Sequence, residues 1–110
     1  MDRENRTLLV VDSSASHLFY LGTMLRRLEY TVHGAASAEK AMQLMTDMLP
    51  SLVIADFALP DMNGIALLTR MKKDPRLKTV PVIIQSADDG PGIREQCMTA
   101  GSMAYFRKPA

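Results

Sequence analysis

The stretch SLVIADFALPDMNG, residues 51–64, decides the fold of this chain. It begins with four apolar residues, 52–55, which have the length and character of a strand buried on both faces. Asp56 ends that run, and Pro60, Asp61 and Gly64 interrupt regular structure before a helical pattern begins. A carboxylate at this position can support the loop or take part in chemistry, and the other strand ends help to decide between the two.

The composition restricts the class of protein before any motif is considered. The chain has 110 residues, 47% of them hydrophobic and 23% charged, which is typical of a single globular domain. The net charge is +1 with no basic run, so direct nucleic-acid binding is not expected. No apolar stretch approaches the roughly 18 residues that span a membrane. Cys97 is the only cysteine, which excludes an intrachain disulfide and fits a reducing, cytoplasmic location.

Short apolar runs alternate with helical patterns along the chain. The expected strands are residues 7–11, 30–35, 52–55, 80–85 and 103–106. Between them, apolar residues recur at intervals of three and four, with helix caps such as Ser37 and helix stops such as Pro50 and Gly101. This alternation predicts an α/β fold in which helices cover both faces of a parallel sheet.

A polar residue follows each of four expected strands. These residues are Asp12, Asp56, Ser86 and Lys108. Ligands of open α/β sheets bind beyond the carboxyl ends of the strands, so these side chains are expected at one edge. Each residue alone has an ordinary interpretation as a cap, a turn residue or a solvated charge. Together, two carboxylates, a hydroxyl and an ammonium suit Mg²⁺ beside a phosphoryl group, and an aspartate can itself accept the phosphoryl.

The same residues and their neighbours resemble the receiver domain of two-component response regulators, of the chemotaxis response regulator type. The matching motifs are Val10-Val11-Asp12, Asp56 with Pro60-Asp61-x-x-Gly64, Ser86-Ala87, and Tyr105-x-x-Lys108-Pro109. The spacing also agrees, since Asp56 lies 30 residues before Ser86, which lies 22 before Lys108. The resemblance covers essentially all of residues 1–110 and implies a flavodoxin-like, doubly wound sheet of five parallel strands in the order 2-1-3-4-5.

The resemblance implies a phosphorylation and metal site at two of the strand ends. Asp56 would accept a phosphoryl group from a histidine kinase or phosphotransfer protein. Asp12, Asp56 and the backbone carbonyl of Ala58 would hold Mg²⁺. The family usually has two consecutive acids after the first strand, whereas Asp12 is followed here by Ser13. Because a serine hydroxyl is a poor substitute for a carboxylate, or serves only as a helix cap, we expect weakened Mg²⁺ binding.

The resemblance also implies a conformational switch at the other two strand ends. Ser86 would move toward the phosphoryl group, and Lys108 would pair with it. Tyr105 would report the switch through its rotamer, although on its own it would be interpreted as a half-buried strand tyrosine. The Lys108–Pro109 peptide bond would be cis, as in the family. Phosphorylation adds roughly −1.5 to −2 charge, and the surface around the fourth helix and fifth strand would then change partners.

The length of the chain departs from the family pattern. A receiver domain continues after the Lys-Pro pair into a fifth helix, whereas this sequence stops at Ala110. We therefore expect residues 1–110 to be a fragment of a longer bacterial regulator with an output domain, its last helix truncated or missing. The sheet face that this helix would cover lacks apolar cover, so we expect self-association as a homodimer.

The sequence leaves functions other than a phosphorylated signalling switch open. A pseudo-receiver would use the same fold as a phosphorylation-independent module for protein interaction. A phosphatase with an aspartate nucleophile typically needs a second acid two residues further on, where this chain has Ser14. A flavodoxin-like electron carrier would stack a tryptophan on its flavin, and the chain has no tryptophan. The sequence therefore favours a signalling domain over an enzyme.

Overall fold

Strands and helices alternate in the computed structural model, which describes residues 5–87 and 90–108. The elements within these residues are β1 (Thr7–Val11), α1 (Ala15–Arg27), β2 (Thr31–Ala35), α2 (Ala38–Asp47), β3 (Leu52–Asp56), α3 (Gly64–Lys72), β4 (Val82–Ser86), α4 (Ile93–Ala100) and β5 (Ala104–Arg107). The predicted type and order of these elements are confirmed. None of the helices in this part of the chain is long and apolar enough to cross a bilayer.

All five strands run parallel, in the order β2-β1-β3-β4-β5. This order confirms the predicted flavodoxin-like, doubly wound sheet. The chain moves outward from β1 to β2, then returns past β1 to place β3 on its other side. The strand order therefore reverses between β1 and β3. In open α/β sheets, ligands bind at such a reversal, beyond the carboxyl ends of the strands.

The start of β4 differs from the prediction, which placed it at Val80. Val80 instead belongs to the preceding turn, where its N–H donates to the carbonyl of Leu77 at 3.0 Å. Pro81 has no N–H to donate, although its carbonyl accepts from the N–H of Val53 at 3.0 Å. Regular pairing therefore begins only at Val82.

One face of the sheet packs against α2, α3 and α4 and forms the main core. Alternate strand residues such as Leu9, Val53 and Ile84 point to this face and are completely buried. Met45 of α2 and Leu67 of α3 pack into the same cluster. Removal of a side chain as deeply buried as Leu67 costs about 2–5 kcal/mol. The packing of this layer against β1, β3 and β4 therefore stabilises the sheet.

The opposite face carries α1 and has less apolar cover at the β5 edge. In the sheet register Phe106 of β5 lies beside Gln85 of β4, and Phe106 is 57% exposed. Phe19 and Tyr20 of α1 are also exposed. Exposed apolar surface at the β5 edge agrees with the sequence analysis, whereas self-association through it stays a prediction. The Lys108–Pro109 bond, which was predicted to be cis, lies outside the described residues.

Candidate functional site

Lys108 links the carboxyl ends of several strands. Its Nζ donates to Asp12 Oδ2, after β1, at 2.8 Å and to Asp56 Oδ2, the last residue of β3, at 3.3 Å. Its backbone N–H donates to the carbonyl of Ser86, at the end of β4, at 2.8 Å. The structure thus brings Asp12, Asp56 and Lys108 into contact and places the backbone of Ser86 beside them.

Asp12 is fully buried, and both of its carboxylate oxygens accept hydrogen bonds. Oδ1 accepts from the backbone N–H of Ser14 at 2.9 Å, and Oδ2 accepts from Lys108 and from Nδ1 of His17. Burial alone raises the pKa of Asp12, but the hydrogen bonds from Lys108 and Ser14 outweigh it and hold the pKa below its ordinary value. Asp12 is therefore an ionised acceptor at neutral pH.

Asp56 is also buried, but within residues 5–87 and 90–108 fewer donors reach it than reach Asp12. Lys108 lies at 3.3 Å, and the backbone N–H of Ala58 also donates to the carboxylate. Burial raises the pKa of Asp56, the charge of Lys108 lowers it, and the charge of Asp12 raises it again, so the pKa lies above its ordinary value. The negative charge on Asp56 is therefore less well compensated than the charge on Asp12.

The ammonium group of Lys108 stays charged in this setting. Burial lowers the pKa of Lys108, but the hydrogen bond to Asp12 and the charge of Asp56 raise it above its ordinary value. Two carboxylates facing one ammonium leave one negative charge uncompensated among these three groups. That charge favours the approach of a further cation to the carboxyl ends of β1 and β3.

The turn after β1 places His17 against Asp12. Ser14 caps α1 by accepting the N–H of His17 at 3.2 Å, so α1 begins immediately after the strand. The imidazole of His17 then lies on the first helical turn with Nδ1 on Asp12 Oδ2. Sequence reasoning missed His17, and its only signal was a position five residues after Asp12 behind a helix cap. The side chain of Ser13, the residue in place of the second acid, is exposed.

A close backbone contact fixes the loop after β3. The N–H of Gly64 donates to the carbonyl of Phe57 at 2.7 Å, and a Cβ at Gly64 would lie only 2.9 Å from the carbonyl oxygen of Asp56. Only glycine lets α3 begin this close to the end of β3. The loop also forms an isolated antiparallel bridge between Ala58 and Asn63, which holds the backbone of Ala58 next to Asp56.

Asp61, which the sequence analysis gave as a loop residue and as part of a family motif without a role at the site, joins this loop to α2. Its two carboxylate oxygens accept the backbone N–H groups of Ala38 at 3.0 Å and Glu39 at 2.8 Å. The bond from the Glu39 N–H is the largest cause of a lowered pKa at Asp61. The carboxylate thus supplies a helix cap from a residue 23 positions away in sequence.

Ser86 and Tyr105 lie where the sequence placed them, at the end of β4 and within β5. Ser86 is buried, and Tyr105 is half-buried against the main core. In the sheet register Ser86 pairs with Arg107 and Tyr105 pairs with Ile84. Their roles in a conformational switch stay predictions.

The side chains at the site fit a hydrated Mg²⁺ ion. In proteins Mg²⁺ keeps several waters and binds through one or two carboxylates, and Asp12 and Asp56 supply that number. Across residues 5–87 and 90–108, no three acidic, histidine or cysteine side chains are grouped closely enough to hold a metal. The donor set therefore matches an ion held by two carboxylates and water, with Ser13 contributing no third acid.

Comparison with known families identifies the chain. The model of the response regulator receiver domain matches residues 8–110, and the chain belongs to this family. Receiver domains generally bind Mg²⁺ in their acidic pocket. They generally work with kinases or phosphotransfer proteins and with output domains.

Individual relatives agree with this assignment. The two-component response regulator ORR7 of Oryza sativa subsp. japonica is 29% identical over 103 residues, which cover 93% of this chain and 49% of that protein. This chain therefore spans about half the length of ORR7. A response regulator structure from Chloroflexus aurantiacus has a TM-score of 0.88 and 34% identity, covering 94% of this chain and 84% of that one. Because the relatives include a rice protein, a bacterial source stays a prediction.

A further solved structure shares the fold alone. It is a response regulator from Burkholderia pseudomallei with a TM-score of 0.84 and 20% identity, covering 94% of this chain and 60% of that one. That protein was solved with a phosphorylated aspartic acid, a calcium ion and citrate. The fold described here therefore accommodates both a phosphoryl group and a divalent cation in another protein.

Proposed function

We propose that this receiver domain takes a phosphoryl group onto Asp56 from a histidine kinase or phosphotransfer protein and changes its partner contacts in response. The observation that carries this proposal is the contact of Lys108 Nζ with both Asp12 and Asp56 at the carboxyl ends of the strands. Membership of the receiver family supports it, because such proteins generally work with phosphoryl donors.

The chemistry follows from the geometry at Asp56. A carboxylate oxygen of Asp56 attacks the phosphorus of a phosphohistidine, a P–O bond forms, the P–N bond breaks, and the departing histidine nitrogen takes up a proton. Lys108 contacts Asp56 at 3.3 Å, which is longer than its 2.8 Å contact with Asp12. Its ammonium group can therefore turn toward the new phosphoryl oxygens while it keeps Asp12 as its partner.

Mg²⁺ would be held by the carboxylates of Asp12 and Asp56 and the backbone carbonyl of Ala58. When bound, it supplies positive charge to the phosphoryl oxygens as they develop negative charge. With Ser13 in place of a second acid, the site would offer fewer charged ligands, so Mg²⁺ would bind weakly.

Ser86 and Tyr105 would transmit the change to the surface of α4 and β5. Ser86 lies at the end of β4 beside the backbone of Lys108, and Tyr105 lies in the next strand. The partners that respond would be an output domain or a separate protein rather than nucleic acid. In this proposal the domain is a cytoplasmic signalling module that can self-associate, and not an enzyme.

A second candidate function is that of a pseudo-receiver, which mediates protein contacts without phosphorylation. The observation that favours it is the state of Asp12, whose oxygens accept from Ser14, His17 and Lys108. A pocket satisfied by donors from its own chain does not need a metal ion to keep it folded.

Intact-mass measurement after incubation with acetyl phosphate and Mg²⁺ tests the two functions. The proposal expects the added mass of one phosphoryl group on the wild type and none on Asp56→Asn. The matched control is Asp61→Asn, which alters an aspartate of the same loop and must still gain the phosphoryl group. A wild type that gains no mass, or an Asp56→Asn variant that gains as much as the wild type, would favour the pseudo-receiver.

A further inference from the structure

Asp12 Oδ2 already accepts two hydrogen bonds and cannot bind a metal ion without a rearrangement. Its side chain has no exposed surface, Oδ1 accepts the Ser14 N–H, and Oδ2 accepts both Lys108 and His17. A divalent cation that takes Asp12 Oδ2 as a ligand must therefore displace Lys108 or His17. Which donor leaves determines how strongly the pocket binds metal.

His17 is the donor that can leave with the least disruption. The Ser14 N–H belongs to the backbone at the helix cap, and Lys108 also bonds Asp56, so loss of either would disturb a second element. The imidazole of His17 reaches Asp12 from the first turn of α1, and 18% of its side chain is exposed. A change of its side-chain rotamer would carry the ring into solvent while the helix stays in place.

We propose that His17 is an internal competitor of the divalent cation at Asp12. Its Nδ1–H holds Asp12 Oδ2 when no cation is bound, and its departure is required when a cation binds. Ser13 strengthens the effect, because it supplies no carboxylate next to Asp12, and Asp56 is then the one acid of the site that would retain the ion while Asp12 is engaged by His17. This inference deepens the proposed function and rests on its metal site, since it names the residue that sets metal affinity there.

The expected effect follows from the strength of a hydrogen bond to a charged group. A hydrogen bond to a charged group is stronger than one between neutral groups, and its loss typically changes an equilibrium constant by about tenfold or more. A cation that binds must replace this bond with its own interaction. Removal of the competing donor should therefore tighten Mg²⁺ binding about tenfold.

Calorimetric titration of Mg²⁺ into the whole, unphosphorylated chain measures this effect. His17→Phe keeps a ring of similar shape and removes the donor, and we expect it to bind Mg²⁺ about tenfold more tightly than the wild type. His17→Asn places an amide nitrogen near the position of Nδ1 and should fall between the two. The matched control is His33→Phe, which alters the other histidine, in the middle of the edge strand β2, and should bind like the wild type.

Thermal unfolding followed by circular dichroism provides a second measurement on the same proteins. A ligand at free concentration c that binds only the folded state stabilises it by RT ln(1 + c/Kd), so the unfolding temperature rises more for the protein with the smaller Kd. Millimolar Mg²⁺ should therefore stabilise His17→Phe more than the wild type, with His17→Asn intermediate. If His17→Phe does not fold, the comparison of His17→Asn with the wild type gives the same test.

Three outcomes would overturn the role of His17. Equal Mg²⁺ affinities in wild type and His17→Phe would mean that the hydrogen bond from His17 to Asp12 does not compete with the ion. Weaker Mg²⁺ binding by His17→Phe would mean that His17 is a ligand or a positioning residue. Absence of Mg²⁺ binding in both proteins would remove the cation for which His17 competes. If Asp56 is phosphorylated but wild type and His17→Phe bind Mg²⁺ equally, the proposed function stands and the role of His17 does not. If His17→Phe binds Mg²⁺ more tightly but Asp56 is not phosphorylated, only the role of His17 stands.

Discussion

Asp12 and Asp56 end adjacent strands and share one lysine, yet their pKa values shift in opposite directions. Both are buried, and the difference comes from the shorter contact of Lys108 with Asp12, from the charge of Asp12 beside Asp56, and from the segments that follow the two residues. Only residues 12–14 separate β1 from α1, so the N-terminal turn of α1 supplies donors to Asp12. Residues 57–63 separate β3 from α3, and Asp56 has fewer donors. The short turn satisfies one carboxylate, whereas the longer loop leaves the other open to an incoming group.

Loss of the shared lysine should have the largest effect on this contrast. Lys108→Met leaves two buried carboxylates facing each other, and we expect the free energy of unfolding at pH 7 to fall by about 3 kcal/mol. The loss should shrink in acid, because protonated carboxylates no longer repel each other. Urea unfolding of the wild type and the variant, at pH 7 and at an acid pH where the carboxylates are protonated, measures this loss of stability. Lys78→Met, at an exposed lysine, is the control and should change stability by less than about 0.5 kcal/mol. An equal loss at acid pH would contradict this explanation.

Asp12→Asn should cost less, about 2 kcal/mol at neutral pH, because the amide keeps the shape of the carboxylate but not its charge. The folded pKa of Asp12 lies below its ordinary value, so its stabilising contribution is present above the unfolded pKa and is lost as pH falls through the folded pKa. The difference between variant and wild type should therefore disappear in acid. Denaturant unfolding across this pH range measures the difference, and a loss that persists in strong acid would point to packing instead.

Asp56→Asn should have the smallest effect and the opposite sign. The folded pKa of Asp56 lies above its ordinary value, so its contribution favours folding below the unfolded pKa and is lost as pH rises through the folded pKa. Above that pH the wild type keeps a poorly compensated charge, and the neutral amide should raise the unfolding temperature. Differential scanning calorimetry at pH 7 measures this shift. A lowered unfolding temperature would mean that the Lys108 contact outweighs burial, and the contrast with Asp12 would not hold.

Much of this architecture was accessible from local sequence patterns. Apolar runs such as 52–55, and apolar residues that recur every three or four positions, reflect which faces of strands and helices are buried. The strands and helices predicted from these patterns are present in the structure. Asp12, Asp56 and Lys108 could be chosen because a polar residue after a buried strand of a parallel sheet must lie at one edge. The predicted start of β4 was wrong by two residues. The pattern of apolar residues does not show that Pro81 has no N–H to donate to a neighbouring strand.

The sequence by itself determined the order of elements and the residues at the strand ends, because these depend on periodicity and on neighbours along the chain. Only the tertiary structure decided that Asp61 caps α2, that Nδ1 of His17 bonds Asp12, and that the two strand-end carboxylates differ in pKa. These features depend on distances of a few ångströms between side chains and backbone groups. Such distances are set by how the helices pack on the sheet, which no local pattern encodes.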